Sequence, residues 1–230
     1  MAATAATRFA LTNRQGQRIV GLIDYPAGDG PVTRTLVLCH GYGGDKDGAY
    51  LRQIAATLTA AGSATVRFDF TNGAGESDGD LRGASVAGYA GDLEDVLDYV
   101  RTQPRLCAGA IAIGGHSYAG MVVLVVAARR ADVAAVFFLS AVFSRTREFD
   151  MLDIARRVRV PIIVIHGAAD REVALTEPEQ LRQIAGSRVV ETIIVPDADH
   201  NYLVPGTALL VATAIRDALL KYVPLTNQTA

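Results

Sequence analysis

The most constraining stretch of this chain is residues 110–124, Ala-Ile-Ala-Ile-Gly-Gly-His-Ser-Tyr-Ala-Gly-Met-Val-Val-Leu. An apolar run of strand length enters two glycines and a serine, and an apolar run of helical length leaves them. Joining a strand to a helix in so few residues requires a turn so sharp that Ser117 sits in a strained backbone conformation. The residues two before and two after it must be small, because the strand and helix backbones pass close together. Gly115 meets that demand, and Ala119 followed by Gly120 stands where a single glycine is usual, so the pattern is G-x-S-x-A-G. Nucleotide-binding turns fit less well. A phosphate-binding loop needs lysine after its last glycine, where Met121 stands, and G-x-G-x-x-G is not met.

The rest of the chain repeats the unit. Leu36–Cys39, Ala64–Phe68, Ala110–Ile113, Val133–Leu139, Pro161–Ile165 and Arg188–Val195 read as strands. Segments of helical period at 50–61, 85–100, 117–130, 149–157, 176–185 and 208–222 separate or follow them. Gly62 is placed to end its helix in the left-handed conformation. Thr176-Glu-Pro-Glu179 has capping-box spacing. Before these units, Arg8–Asn13 and Arg18–Tyr25 flank a turn and read as an antiparallel hairpin. The expectation is one α/β domain over residues 8–223 with short flexible ends at 1–7 and 224–230, since no linker, repeat or low-complexity block interrupts the series.

Composition narrows the class. Of 230 residues half are apolar and 20% are charged, which excludes disorder as a whole-chain reading. The net charge of −2 carries no basic stripe, so no nucleic-acid partner is expected. Apolar runs such as Met121–Ala128 are far shorter than the roughly 18 residues of a membrane span. The first ten residues lack a charged segment followed by an apolar run, so the expected location is cytoplasmic. Cys39 and Cys107 form no C-x-x-C, and Cys39, at the end of an apolar strand, reads as a small buried hydrophobe. Cys107 falls at the opposite end of its strand, which speaks against a disulfide between them. Asp45, Asp47, Asp78 and Asp80 do not fit a calcium loop, no zinc spacing occurs, and no cofactor or metal is expected.

A serine hydroxyl needs a base to become a nucleophile. Among four histidines, His116 adjoins the serine and points away from it by the geometry of such a turn. His40 and His166 each follow an apolar strand and precede a glycine, a setting where histidine more often ties loops together. His200, in the polar loop between the last strand and the last helix, is left as the base. Asp170, in the loop after Pro161–Ile165, is the candidate to orient it, ahead of Asp197, Asp199 and Glu172. The oxyanion of an acyl-transfer intermediate needs two N–H donors. Tyr118 offers one, and Tyr42 in His40-Gly-Tyr-Gly-Gly44 is the candidate for the other.

Together with Arg67-Phe-Asp-Phe70, Gly75-Glu-Ser-Asp-Gly79, His166-Gly167 and Asp199-His200, these residues resemble the α/β-hydrolase superfamily over nearly the whole chain. The nearest likeness is to small bacterial carboxylesterases and their feruloyl esterase and dienelactone-hydrolase-like relatives. The resemblance implies a mostly parallel eight-stranded sheet with helices on both faces. It also implies a Ser117–Asp170–His200 triad with Tyr42 and Tyr118 at the oxyanion hole. Cap domains of the superfamily follow the strand matching Val133–Leu139, and here residues 141–159 leave room for one short helix. The expectation is therefore a lid-less serine carboxylesterase for short-chain or small soluble esters, with a feruloyl esterase or acyl-thioesterase as alternatives on the same triad. A non-catalytic binding protein on this fold is the alternative of another class, and dehalogenases or epoxide hydrolases would need aspartate where Ser117 stands. Gly41, Phe70, Phe143 and Tyr202 are candidates for contact with substrate, the aromatics being candidates for the core as well. A small-molecule ester is the expected partner, and the chain is expected to be a monomer or homodimer.

Overall fold

The computed structural model describes residues 6–223; of the expected flexible ends at 1–7 and 224–230, residues 1–5 and 224–230 lie outside them. Among the described residues eight strands form one sheet in the order β1-β2-β4-β3-β5-β6-β7-β8. In chain order they are β1 (Thr7–Thr12), β2 (Arg18–Asp24), β3 (Arg34–Cys39), β4 (Ala64–Phe68), β5 (Ala110–His116), β6 (Val133–Leu139), β7 (Ile162–Gly167) and β8 (Val189–Val195). The first strand takes in Thr7, a residue expected from the sequence to belong to the N-terminal end. β1 and β2 pair antiparallel, β2 pairs antiparallel with β4, and all other neighbours are parallel.

Among the described residues six α-helices cover the two faces: α1 (Ala49–Ala60), α2 (Val86–Thr102), α3 (Ala119–Arg129), α4 (Met151–Arg157), α5 (Thr176–Ala185) and α6 (Thr207–Tyr222). The period of two along the strands divides the core. Leu36 and Leu38 of β3 pack with Leu51, Ile54 and Leu58 of α1 and with Val211, Ile215 and Leu219 of α6. Val37 and Cys39 face the other way, into the layer holding Leu93 and Val96 of α2 and Val122 and Val126 of α3. Both faces being covered explains why the central strands read as unbroken apolar runs rather than alternating ones. α1 ends as expected, with Gly62 at φ +84° and its N–H on the Thr59 carbonyl, while the Ser63 N–H reaches Leu58.

One local expectation fails. The capping box at Thr176 does not form: α5 is preceded by Leu175 and has no side-chain cap. The acidic residue that matters there is Glu177, buried and accepting the N–H groups of Phe143 and Ser144 and the Arg145 Nε–H. It ties the segment after β6 down onto α5, an attachment no local pattern announces. Between β6 and β7 lies only α4, capped by Asp150 on the N–H groups of Leu152 and Asp153, so no cap domain covers the sheet's carboxyl end. Among the described residues no helix is long and apolar enough to cross a membrane.

Candidate active site

Ser117 stands between β5 and α3 at φ +53°, a left-handed conformation that a non-glycine residue holds only when its surroundings enforce it. They do. The Ser117 N–H donates to the Leu139 carbonyl, and its own carbonyl accepts from both Gly120 and Val142. A β-carbon on Gly115 would lie 2.3 Å from the Ala119 carbonyl oxygen, so only glycine lets strand and helix pass at this point. The Ala119 methyl is fully buried and fits, and it is Gly120 that comes close to Ala141 and the Val142 carbonyl.

Loops after β7 and β8 bring the other two groups to this turn. They cross where Gly167 passes Ala198, whose carbonyl oxygen would be 2.3 Å from a β-carbon there. The Ala169 N–H then binds that carbonyl. His200 Nε2 is 3.0 Å from Ser117 Oγ, and His200 Nδ1 is 2.9 Å from Asp170 Oδ2. Asp170 Oδ1 accepts the N–H groups of Glu172 and Val173, each at 2.9 Å. Burial opposes the Asp170 charge, but the hydrogen bonds from His200, Val173 and Glu172 outweigh it and hold the carboxyl at about 2. The group is therefore an anion at any working pH, as orienting an imidazole requires.

The three other histidines are structural, each in its own way. His116 is not idle: its Nε2–H donates to the His200 carbonyl at 2.8 Å, and its ring lies between those of Tyr50 and His200. Burial drives its pKa down to about 3, so it stays neutral. His40 donates from Nδ1 to the Gly41 carbonyl and accepts the Phe70 N–H at Nε2, which binds the loop after β3 to the end of β4. Lys46 strengthens that junction through its N–H and Nζ, both on buried Asp69. His166 donates to the Val173 carbonyl and so closes the turn that carries Asp170.

The N–H groups of Tyr42 and Tyr118 face no backbone acceptor among the described residues, as an oxyanion site requires. The two side chains form a rim, with ring centroids 5.9 Å apart and Tyr42 59% exposed. Beside Ser117 opens a cavity of about 540 Å³ lined by Gly41 to Asp45, Gly48 to Tyr50, His116, Glu172, His200, Asn201 and Leu203. Gly41, expected to contact substrate, lines this cavity.

Phe70, Phe143 and Tyr202 do not line it, and of the two readings open to them, substrate contact or core, their placement is that of core side chains. Phe70 is fully buried and stacks on Tyr89 at 4.1 Å, Phe143 is fully buried against the α2–α3 layer, and neither lines the cavity. Tyr202 turns inward at φ +55° and packs edge-on against Tyr50 and His116, anchoring the His200 loop from beneath. Glu172, weighed in the sequence only as a rival to Asp170, instead places its carboxylate 3.8 Å from the opposite ring nitrogen, His200 Nε2. No sequence signal marks that position. Among the described residues no group of three or more His, Cys, Asp or Glu side chains is arranged to hold a metal ion.

Comparison with known proteins agrees with this architecture. Est1E from Butyrivibrio proteoclasticus, solved with ferulic acid bound, superposes with a TM-score of 0.80 at 18% identity, over 93% of this chain and 98% of that one. The esterase domain of a Rhodothermus marinus protein gives 0.76 at 21% identity, over 96% and 100%. A dienelactone hydrolase from Anabaena variabilis gives 0.77 at 21%, over 95% and 99%. At such identities the likeness is one of fold. The model of the alpha/beta hydrolase domain family matches residues 32–213, a span that runs from just before β3 into α6 and includes the Ser117, Asp170 and His200 loops, and the chain belongs to that family.

Proposed function

We propose that the protein is a serine carboxylesterase acting on short-chain or small soluble esters. The observation that carries the reading is the unbroken relay from Asp170 through His200 to Ser117, with hydrogen-bond lengths of 2.9 and 3.0 Å beside an open cavity. In this reading Ser117 Oγ attacks the ester carbonyl while His200 Nε2 takes its proton, and Asp170 stabilises the imidazolium that forms. The carbonyl oxygen becomes an anion held by the Tyr42 and Tyr118 N–H groups, each such donor typically contributing about 10²–10³ in rate. Collapse expels the alcohol, which takes the proton from Nε2 and leaves an acyl group on Ser117. A water molecule, deprotonated by the same nitrogen, then releases the acid. No inserted domain covers the site, which favours small accessible esters over substrates that need a lid.

The esterases among the structural neighbours support ester hydrolysis, and the ferulic acid of one keeps a feruloyl ester within the test. The inward turn of Phe70 and Phe143 works against an aromatic-acid pocket. Hydrolysis of p-nitrophenyl esters from acetate to laurate, with a ferulate ester, is compared between the native protein and Ser117→Ala. Turnover of the short esters with a loss of about a thousandfold or more in the variant is expected. Equal inertness of both proteins towards every ester overturns the reading and brings thioesters or a binding role forward.

A further inference from the structure

The cavity beside Ser117 carries charge of one sign. Asp45 and Glu172 line it, and no lysine or arginine does. Arg171 faces the neighbouring hollow with Asp199 and Val204, and Lys46 is buried on Asp69 and Glu76. Neither cavity carboxylate has a lysine or arginine within ion-pair distance among the described residues. Glu172 has only His200 Nε2, and Asp45 Oδ1 accepts only the Asp47 N–H.

The position of Glu172 assigns this charge to one part of the substrate. A leaving alcohol must receive its proton from His200 Nε2, so its oxygen comes within hydrogen-bond reach of that nitrogen. Glu172 Oε2 is 3.8 Å from the same atom, so groups a few bonds beyond the ester oxygen pass close to its carboxylate. Tyr42 stands at the rim of the same space, an exposed ring whose face attracts a cation. Building on the esterase reading, we propose that the preferred ester carries a cationic group, an ammonium, on its alcohol portion, with Glu172 the specificity-determining residue and Asp45 adding to the field.

The test compares two acetates of equal shape, those of 2-(trimethylammonio)ethanol and of 3,3-dimethylbutanol, in the native protein, Glu172→Gln and Glu172→Lys. The Glu172 side chain is 65% exposed, so these substitutions do not burden folding. Its exposure also means screening, and the native ratio of kcat/KM, cationic over neutral, is expected at about three- to tenfold in low salt. It approaches one in Glu172→Gln, falls below one in Glu172→Lys and shrinks in 0.5 M salt. If an ester binds without turning over, the same ratio is read from inhibition of p-nitrophenyl acetate hydrolysis. A native ratio near one overturns the proposal. So does a ratio that Glu172→Gln leaves unchanged, including a parallel fall for both esters, which would assign Glu172 to the imidazolium instead. Turnover of p-nitrophenyl acetate without a cation preference sinks this proposal alone, whereas absence of any ester turnover sinks the esterase reading and this one with it.

Discussion

Replacing Asp170 by asparagine tests the relay at its least replaceable atom. Asp170 Oδ1 holds the Glu172 and Val173 N–H groups, and Oδ2 faces His200 Nδ1. An amide must keep its oxygen on the two backbone donors, which turns its NH₂ towards Nδ1. That NH₂ donates, the ring proton moves to Nε2, and the imidazole can no longer accept a proton from Ser117. Flipping the amide restores the tautomer but abandons the Glu172 and Val173 N–H groups, the second of them part-buried and costing about 1–3 kcal/mol to leave unpaired. With the imidazolium also losing its counter-charge, kcat is expected to fall by about 10³–10⁴, or roughly 4–5.5 kcal/mol of transition-state stabilisation. Residue 170 does not line the cavity, so KM should stay within about threefold.

Stability provides an independent readout of the same substitution. The folded-state carboxyl titrates at about 2 against an ordinary value of 3.8. Its stabilisation is thus present above about pH 4 and disappears as pH falls through 2, amounting to about 2 kcal/mol at neutral pH. Asparagine forfeits most of it, a fall in Tm of about 4–8 °C for a domain of this size. Steady-state hydrolysis of p-nitrophenyl acetate and thermal unfolding at pH 7.5 measure both. A variant that keeps more than a tenth of native kcat while losing the expected stability would refute the orienting role. Asp199 is the control: its Oδ1 takes the Leu203 N–H rather than a ring nitrogen, and Asp199→Asn should leave kcat within about threefold.

Two further outcomes follow from the same packing. Burial lowers the pKa of His40, His116 and His166, so the unfolded chain binds more protons than the folded one below about pH 6.5 and stability must drop on acidification. Each contributes a slope of up to about 1.4 kcal/mol per pH unit where it is protonated in the unfolded chain but not in the folded one; urea titrations at pH 7, 6 and 5 with no loss of stability would contradict this. Gly115→Ala places its methyl 2.3 Å from the Ala119 carbonyl oxygen, and loss of both Tm and esterase activity is expected, with an unperturbed Tm counting against the tight turn.

Much was legible along the chain because its signals are local. Strands buried on both faces read as apolar runs, the small residues around Ser117 mark a turn that only they can make, and loops leaving the carboxyl ends of parallel strands converge whatever their sequence. The order Ser117, Asp170, His200 and the structural use of His40 and His166 follow from those facts.

What remained out of reach depends on which way a loop side chain turns. Phe70, Phe143 and Tyr202 lie in the same loops as candidate site residues, but rings so large gain more by packing on Tyr89, the α2–α3 layer and Tyr50 than by standing at an open mouth. Thr176 stands inside the first turn of α5 rather than capping it, and Glu177 beside it binds backbone donors more than thirty residues away. Glu172 came to stand over His200 through the crossing of two loops that meet only in the folded chain. Periodicity and turn chemistry therefore determined the sheet, the turn at Ser117 and the chain order of the site. Tertiary packing alone decided which aromatics were buried and what charge lines the cavity, because those outcomes rest on contacts between segments that no local pattern couples.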